Sequence, residues 1–259
     1  MTILVLGAIS GRFQGNRVYG RLSAEVEAWT GQLGNLVSRK FEPLGVGPYL
    51  CWYHLRGPAR LERRATAPRT SDAKIRRFLD GQRSLPFSYP ELGASRDGAP
   101  PGYPVNQYRG RLGAGSETFA RAVGAMRHWK MYETQWTRLL WPDAPVSDGT
   151  VVGVLGRHLG LWSLNACRIV YEYEDKEPSL ERYGFAVGTL PDHVERGEER
   201  FTVEWNAADD SVFYELFAFS RPAHPLVKVA SPLARLIQRR FALDSLRSMK
   251  AAVGGGTVR

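Results

Sequence analysis

The sequence predicts an α+β protein in which a curved antiparallel sheet is covered by one long C-terminal helix. Three observations predict it. Strand-like runs follow one another from residue 131 to residue 220, separated by short turns such as "EDKEPSLE" and "NAADD", the pattern of an antiparallel meander. Alternation in Phe201, Val203 and Trp205, and again in Val212, Tyr214 and Leu216, gives the sheet an apolar face. The chain then closes on "SPLARLIQRRFALDSLRSMKAA" at 231–252, where Ser231 can cap a helix and Pro232 can open it. One long helix is the economical cover for one apolar sheet face, and the space between them is a core or a ligand pocket.

The elements can be justified in chain order. Residues 1–70 carry 9 Gly and 10 Lys/Arg against 4 Asp/Glu and sustain no period of two or 3.6. They read as a basic extension, with a short amphipathic helix at 22–37, a strand at 46–55 and a linker at 56–71. "MTILVLGAIS" has no basic residue before its apolar run and no clear cleavage site after it, so it reads as a strand rather than a signal peptide. From Ser71 the signals sharpen. Thr70 or Ser71 can cap a helix through "DAKIRRFLDG", with Ile75, Phe78 and Leu79 on one face. "PFSYPELGASRDGAPPGYP" (86–104) is too rich in Pro and Gly for a regular element, but its aromatics predict an ordered loop. "NQYRGRL" (106–112) suits a strand, and Ser116 can cap a helix with Phe119, Val123, Met126 and Trp129 or Lys130 at helical spacing.

Six strands are then expected at 131–141, 150–156, 161–174, 182–190, 200–206 and 211–220. On the closing helix, Leu233, Leu236, Ile237, Arg240 or Phe241, and Leu243 or Asp244 form the expected stripe. The boundaries are therefore an extension at 1–70, a domain at 71–252 and a frayed tail at 253–259.

Bulk properties narrow the classes. Hydrophobic residues make up 43% of 259, enough for a core and too many for global disorder. No apolar run approaches the ~20 residues of a membrane span. Cys51 and Cys167 lie far apart, without metal-ligand spacing, which points to a reducing, cytoplasmic setting. The net charge is +9, of which +6 falls in residues 1–70. Such an extension can bind nucleic acid or an anionic membrane surface, and a solvated flank is the plainer reading.

Candidate chemistry centres on "GFAVGTLPDHVERGEERFTVEW" (184–205). His193 is an acid or base candidate, and Glu198, five residues on, can orient it. A metal set would draw on His193, Glu198 and Asp192, but there is no H-E-x-x-H, paired histidine or nearby cysteine, so no metal is expected. The plainer reading is a charged loop in which Glu198 or Glu199 pairs with an arginine, Arg221 first, and His193 bonds to backbone. Arg221 can alternatively hold a ligand carboxylate or phosphate. Ser220 lacks the G-x-S-x-G of a hydrolase nucleophile. "LGAGS" (112–116) lacks a P-loop ending, so Gly113 and Gly115 read as turn residues. Tyr89, Tyr103, Trp129, Phe185, Thr189 and Trp205 are candidate wall residues of an apolar cavity, with ordinary core the alternative.

Five blocks in order, "FSYPELGAS", "PPGYP", "RLGAGSETFARAVGAMRHWKM", "FAVGTLPDHVERGEERFTVE" and "AFSRPAHPLVKVASPLARLIQRR", resemble the domain-of-unknown-function 1990 family across roughly residues 75–250. That family is placed in the START-like, birch-pollen-allergen-like helix-grip superfamily. The resemblance implies a helix-grip fold, in agreement with the element order, and no established reaction or cofactor. Superfamily relatives bind lipids, sterols and polyketides, and some catalyse on them. Residues 1–70 fall outside the pattern, and Val187 stands where the family more often carries an aromatic. The expected function is binding of an apolar or amphipathic small molecule between sheet and helix. An enzyme of the same fold using His193 and Glu198 is the alternative, and surface binding through residues 1–70 a second.

Overall fold

The computed structural model describes residues 72–158, 161–193, 195–223 and 231–254. The extension at 1–70 with its expected helix and strand, and the tail after Gly254, lie outside them. Contacts divide the chain into two units, Met1–Arg69 with Arg157–Ser163, and Thr70–Gly156 with Leu164–Arg259. The second unit carries the architecture below.

Among the described residues, three α-helices and seven strands make up the fold. They are α1 (Asp72–Gln82), β1 (Val105–Ala114), α2 (Ser116–Arg127), β2 (Thr137–Leu140), β3 (Val151–His158), β4 (Leu161–Glu177), β5 (Leu180–Thr189), β6 (Glu195–Asn206), β7 (Ser211–Pro222) and α3 (Ser231–Gly254). The strands form one sheet in the order β1-β7-β6-β5-β4-β3-β2. β1 pairs antiparallel with β7, so the first strand lies beside the last. α2 and the single turn Lys130–Tyr132 carry the chain from that edge to the opposite edge strand β2. The result is a curled antiparallel sheet with a C-terminal helix, the helix-grip arrangement the sequence predicted.

Period-two alternation sorts side chains onto two faces. Phe201 and Val203 of β6, Tyr214 and Leu216 of β7, and Tyr183, Phe185 and Val187 of β5 share the inner face with Met126 of α2 and Phe241, Ala242, Met249 and Val253 of α3. α3 approaches β1 closely at Gly110, where any Cβ would strike Leu246. On the outer face, Phe217 and Phe219 of β7 are covered by Phe87, Tyr89 and Tyr103 from the loop joining α1 to β1. The ordered loop expected at 86–104 is therefore a lid on the back of the sheet.

Four sequence expectations are corrected. Residues 131–136 are not strand: Lys130–Tyr132 is a 3-10 turn, and β2 is only four residues long. Ser116 is the first residue of α2, and Gly115, at φ 91°, stands at the N-cap with no side-chain bond. The "DHVERGEE" segment is strand from Glu195 onward, because β5 pairs with it through Gly188↔Glu198 and β7 through Glu195↔Pro222. On α3, Leu236 and Leu243 are exposed, and the buried stripe runs through Phe241, Ala242, Ser245, Met249 and Val253. From Phe241 the buried residues Ser245, Met249 and Val253 recur at intervals of four, which keeps them on one face, and the stripe continues through Val253 into the expected tail.

Candidate functional site

The segment 189–199 divides its polar residues between the two faces of the sheet. Glu198 points to the outer face and is buried. Its carboxylate accepts hydrogen bonds from Tyr89 Oη at 2.7 Å, Gly93 N at 2.8 Å, Ser95 N at 3.0 Å and Ser95 Oγ. Two backbone amides and two hydroxyls thus surround one carboxylate, with no cation among the described partners. Hydrogen bonds to the charged form compensate its desolvation. Burial, and then the carboxylate beside it, push the Tyr89 phenol far above its usual range. The "SYPELGAS" stretch folds onto the sheet because this carboxylate gathers its donors.

Arg221 is not the partner of Glu198. Its guanidinium lies 4.7 Å from the centre of the Tyr103 ring, and Tyr103 Oη donates to Glu91 at 2.8 Å. An arginine brought to Glu198 would have to displace the four donors already there. The pairing expected from sequence charge is replaced by backbone amides, which no charge count reveals.

His193 and Glu198 are not brought into hydrogen-bond contact. His193 Nδ1 lies 2.9 Å from the Glu195 amide nitrogen and 3.1 Å from the Glu195 carbonyl oxygen, so the ring is bound to the backbone of its own connection. Burial pushes the imidazole down to about 4. It closes the β5–β6 connection as a neutral side chain, the backbone-bonding role named above. Asp192 accepts from Gln82 Nε2 at 2.7 Å and ties the same connection to α1. Thr189 Oγ1 accepts from the Gly197 amide at 2.9 Å and shares a 2.6 Å bond with Ser88 Oγ. Its polar atom is occupied in joining strand to lid.

The aromatic candidates also separate. Tyr89 and Tyr103 belong to the outer cluster, Trp129 and Phe185 to the inner core. Trp129 packs edge-on against Phe185 with centroids 5.1 Å apart, and its indole donates to Ala144 O at 2.8 Å. Trp205 sits at one end of the sheet, near Phe119 of α2, and donates to Asp210 at 2.9 Å. These residues therefore do not line one common cavity.

The inner face holds a group the sequence reading named only as an arginine partner. Glu199 shares the inner side of β6 with Phe201 and Val203. It is flanked in register by Val187 and Ala218. Among the described residues its one hydrogen bond comes from Tyr132 Oη at 3.4 Å, long for an O–H···O contact. Glu199 nevertheless keeps part of its surface accessible. Burial raises its carboxyl to about 8. The groups facing it are the Tyr132 and Tyr214 phenols and the Cys167 thiol. Burial, and then Glu199, push the Cys167 thiol up to about 12. Tyr214 is already bonded to Ser245 of α3 at 2.6 Å. A carboxyl raised in this way holds its proton to higher pH than an ordinary glutamate, and in that form it can both donate and accept a hydrogen bond. Two residues further toward the strand end, Ser220 accepts from Gln238 of α3 at 2.9 Å and bonds to Glu195, whose carboxyl burial also raises.

One signal could have found Glu199. It occupies the same alternation as Phe201 and Val203, so a carboxylate stands on the apolar face of the strand. Reading 192–199 as loop hid that phase.

Comparison with known proteins follows from this geometry. The profile of "Domain of unknown function (DUF1990)" matches residues 88–248. A UPF0548 protein of Dictyostelium discoideum is 35% identical over 201 residues, 71% of this chain and 93% of that protein. One of Deinococcus radiodurans is 36% identical over 194 residues, 70% of this chain and 95% of that protein. Among solved structures, a START superfamily protein from Mycobacterium smegmatis aligns at 14% identity and a TM-score of 0.36, covering 60% of this chain and 96% of its own. Ara h 8.0201 aligns at 13% identity and a TM-score of 0.36, covering 60% and 100%. Among the described residues no helix is long and apolar enough to cross a membrane.

Proposed function

We propose that this chain, which belongs to the DUF1990 family, binds an apolar or amphipathic small molecule on the inner side of its sheet, beside Glu199. The observation that carries this reading is the state of Glu199. A carboxyl at this depth normally has a cation or several donors as partners. Glu198, next to it, has four. Among the described residues Glu199 has one long contact, and it keeps accessible surface. Tyr132 Oη reaches it and Phe201 follows it on the same face of β6, and the Tyr132 ring packs 5.6 Å from Phe201 and 5.4 Å from Phe241 between centroids. Apolar walls with a single polar group are the usual make-up of a small-molecule site.

A second reading shifts the acid/base role from the His193–Glu198 pair to Glu199. A carboxyl raised by burial can give and take a proton near physiological pH, and the long Tyr132 contact together with its accessible surface is the observation that favours it.

Native mass spectrometry of the purified full chain, followed by organic extraction, tests the binding reading. A bound apolar or amphipathic molecule at one per chain is expected. N-phenyl-1-naphthylamine should also bind saturably, and less tightly to Ala218→Phe, where a ring replaces the methyl group in register with Glu199. An unligated chain that gives no saturable probe binding overturns the reading.

A further inference from the structure

We propose that the outward face of α3 is a contact surface for an anionic lipid bilayer, with Leu236 and Leu243 entering the headgroup layer and the cations beside them meeting lipid phosphates. The proposal is independent of the reading of Glu199 and of the basic extension at 1–70.

The leucines carry it first. α3 turns Phe241, Ala242, Ser245, Met249 and Val253 to the core. On the opposite side Leu236 is 63% exposed and Leu243 38%. A spacing of seven residues puts both on one face, two turns and about 10 Å apart along the axis. Among the described residues the other exposed large apolar side chains are Leu92 and Val105, and both lie outside the α-helices. The solvent side of an amphipathic helix ordinarily carries polar residues. Here it presents two leucines in line.

The charge around them is one-sided. From Arg235 to Lys250 the helix holds Arg235, Arg239, Arg240, Arg247 and Lys250 against the single acid Asp244, and all five cations are exposed. At 3.6 residues per turn, Arg239 and Lys250 flank the leucines within about 60° on one side, and Arg240 and Arg247 within about 60° on the other. Asp244 lies further round. It accepts from the Trp136 indole at 2.9 Å and is met by Arg247 at 2.6 Å and Arg240 at 3.5 Å. Among the described residues Arg239 and Lys250 have no acid partner. The outer face of the sheet differs, because there Arg109 and Arg182 share Glu204 and Arg200 pairs with Glu215 at 2.7 Å. The strip on α3 keeps its positive charge.

The combination selects the occupant. A second copy of the chain would set two positive strips against each other. A nucleic acid would satisfy the cations and leave the leucines against phosphates. An anionic membrane surface takes both: the leucines reach the acyl boundary, and the long Arg and Lys stems lie along it with their heads at the lipid phosphates.

The test sediments the full chain at pH 7 with phosphatidylcholine vesicles, plain or containing about one-third phosphatidylserine, in ~0.1 M salt. Binding to the anionic vesicles is expected to be about tenfold or more tighter than to the plain ones, and to weaken as salt rises. Arg239→Gln with Lys250→Gln should weaken it about 25-fold, at about fivefold per cation. Leu236→Gln with Leu243→Gln should weaken it about tenfold. Leu243→Trp should tighten it about threefold, a gain that no folding defect produces. Arg77→Gln with Arg111→Gln removes the same charge from exposed positions on α1 and β1 and should change binding less than about twofold. Equal affinity for the two vesicles overturns the proposal, as does a loss in the α1/β1 pair as large as in the α3 pair. Vesicle binding that is indifferent to the leucines also overturns it, and duplex DNA held with the same dependence on Arg239 and Lys250 would then assign the strip to nucleic acid.

Discussion

Tyr89 donates its phenol proton to the Glu198 carboxylate at 2.7 Å, across 109 residues of sequence. The bond joins a loop without regular structure to the back of a sheet strand. It makes the most consequential acid of the 192–199 segment a structural one. Replacing Glu198 by Ala leaves two backbone amides and the Tyr89 hydroxyl without an acceptor, while Ser95 Oγ keeps its 2.6 Å bond to Tyr171 Oη. Buried donors without partners cost about 1–3 kcal/mol each when fully stranded, and loop relaxation offsets part of that, so a loss of about 3–5 kcal/mol is expected. Tyr89→Phe removes one charge-assisted bond and should cost about 1.5–3 kcal/mol. Urea unfolding of both variants checks this. A Glu198→Ala loss smaller than that of Tyr89→Phe contradicts the clasp.

Gly188 pairs with Glu198 in register and lies beneath the lid. A Cβ there would strike Tyr89 Oη and come within 2.8 Å of the Phe87 ring. Gly188→Ala should therefore lift the lid and cost about 1–3 kcal/mol as an overpacked site. Faster proteolysis within 86–104 should accompany it, and an unchanged cleavage rate would argue against the close approach.

Glu199 makes stability fall with rising pH. Its carboxyl is raised from the usual 4.5 to about 8 in the folded chain. The folded state therefore holds a proton that the unfolded state releases. The contribution is fully present below pH 4.5 and is lost as pH rises through about 8. Wild type should lose stability relative to Glu199→Gln over that window, by up to about 5 kcal/mol at the pKa difference given. Parallel thermal melts from pH 5 to pH 9 measure it. Curves that stay parallel throughout would mean that Glu199 is solvated.

His193 should remain neutral through physiological pH. Its imidazole is lowered from 6.5 to about 4, so its stabilising contribution is present above pH 6.5 and is lost as pH falls toward 4. NMR of the ring protons should show no titration between pH 8 and about pH 5.5. A midpoint near 6.5 would place the ring in open solvent.

Deleting residues 1–70 should leave the remaining chain with a single cooperative melt, because α1, the seven strands and α3 all lie downstream. Differential scanning calorimetry of the truncated chain decides it. Loss of cooperativity would make the extension part of the core.

Much of the fold was legible because its signals are local. Alternation at Phe201, Val203, Tyr214 and Leu216 marks the inner face without reference to any partner. Pro and Gly punctuation marks the lid, and the Ser-Pro start marks α3. The sequence by itself therefore determined the element order, an antiparallel sheet and its apolar face. Tertiary structure alone decided what the acids do. Glu198 and Glu199 are adjacent and chemically identical, and the strand pleat sends them to opposite faces. One meets backbone amides of a loop about a hundred residues away. The other meets aromatic rings and a single distant hydroxyl. Backbone donors have no letter in the sequence, and burial depends on what folds over a side chain from elsewhere. The same physics turned Arg221 to the Tyr103 ring and gave His193 a backbone amide in place of a carboxylate.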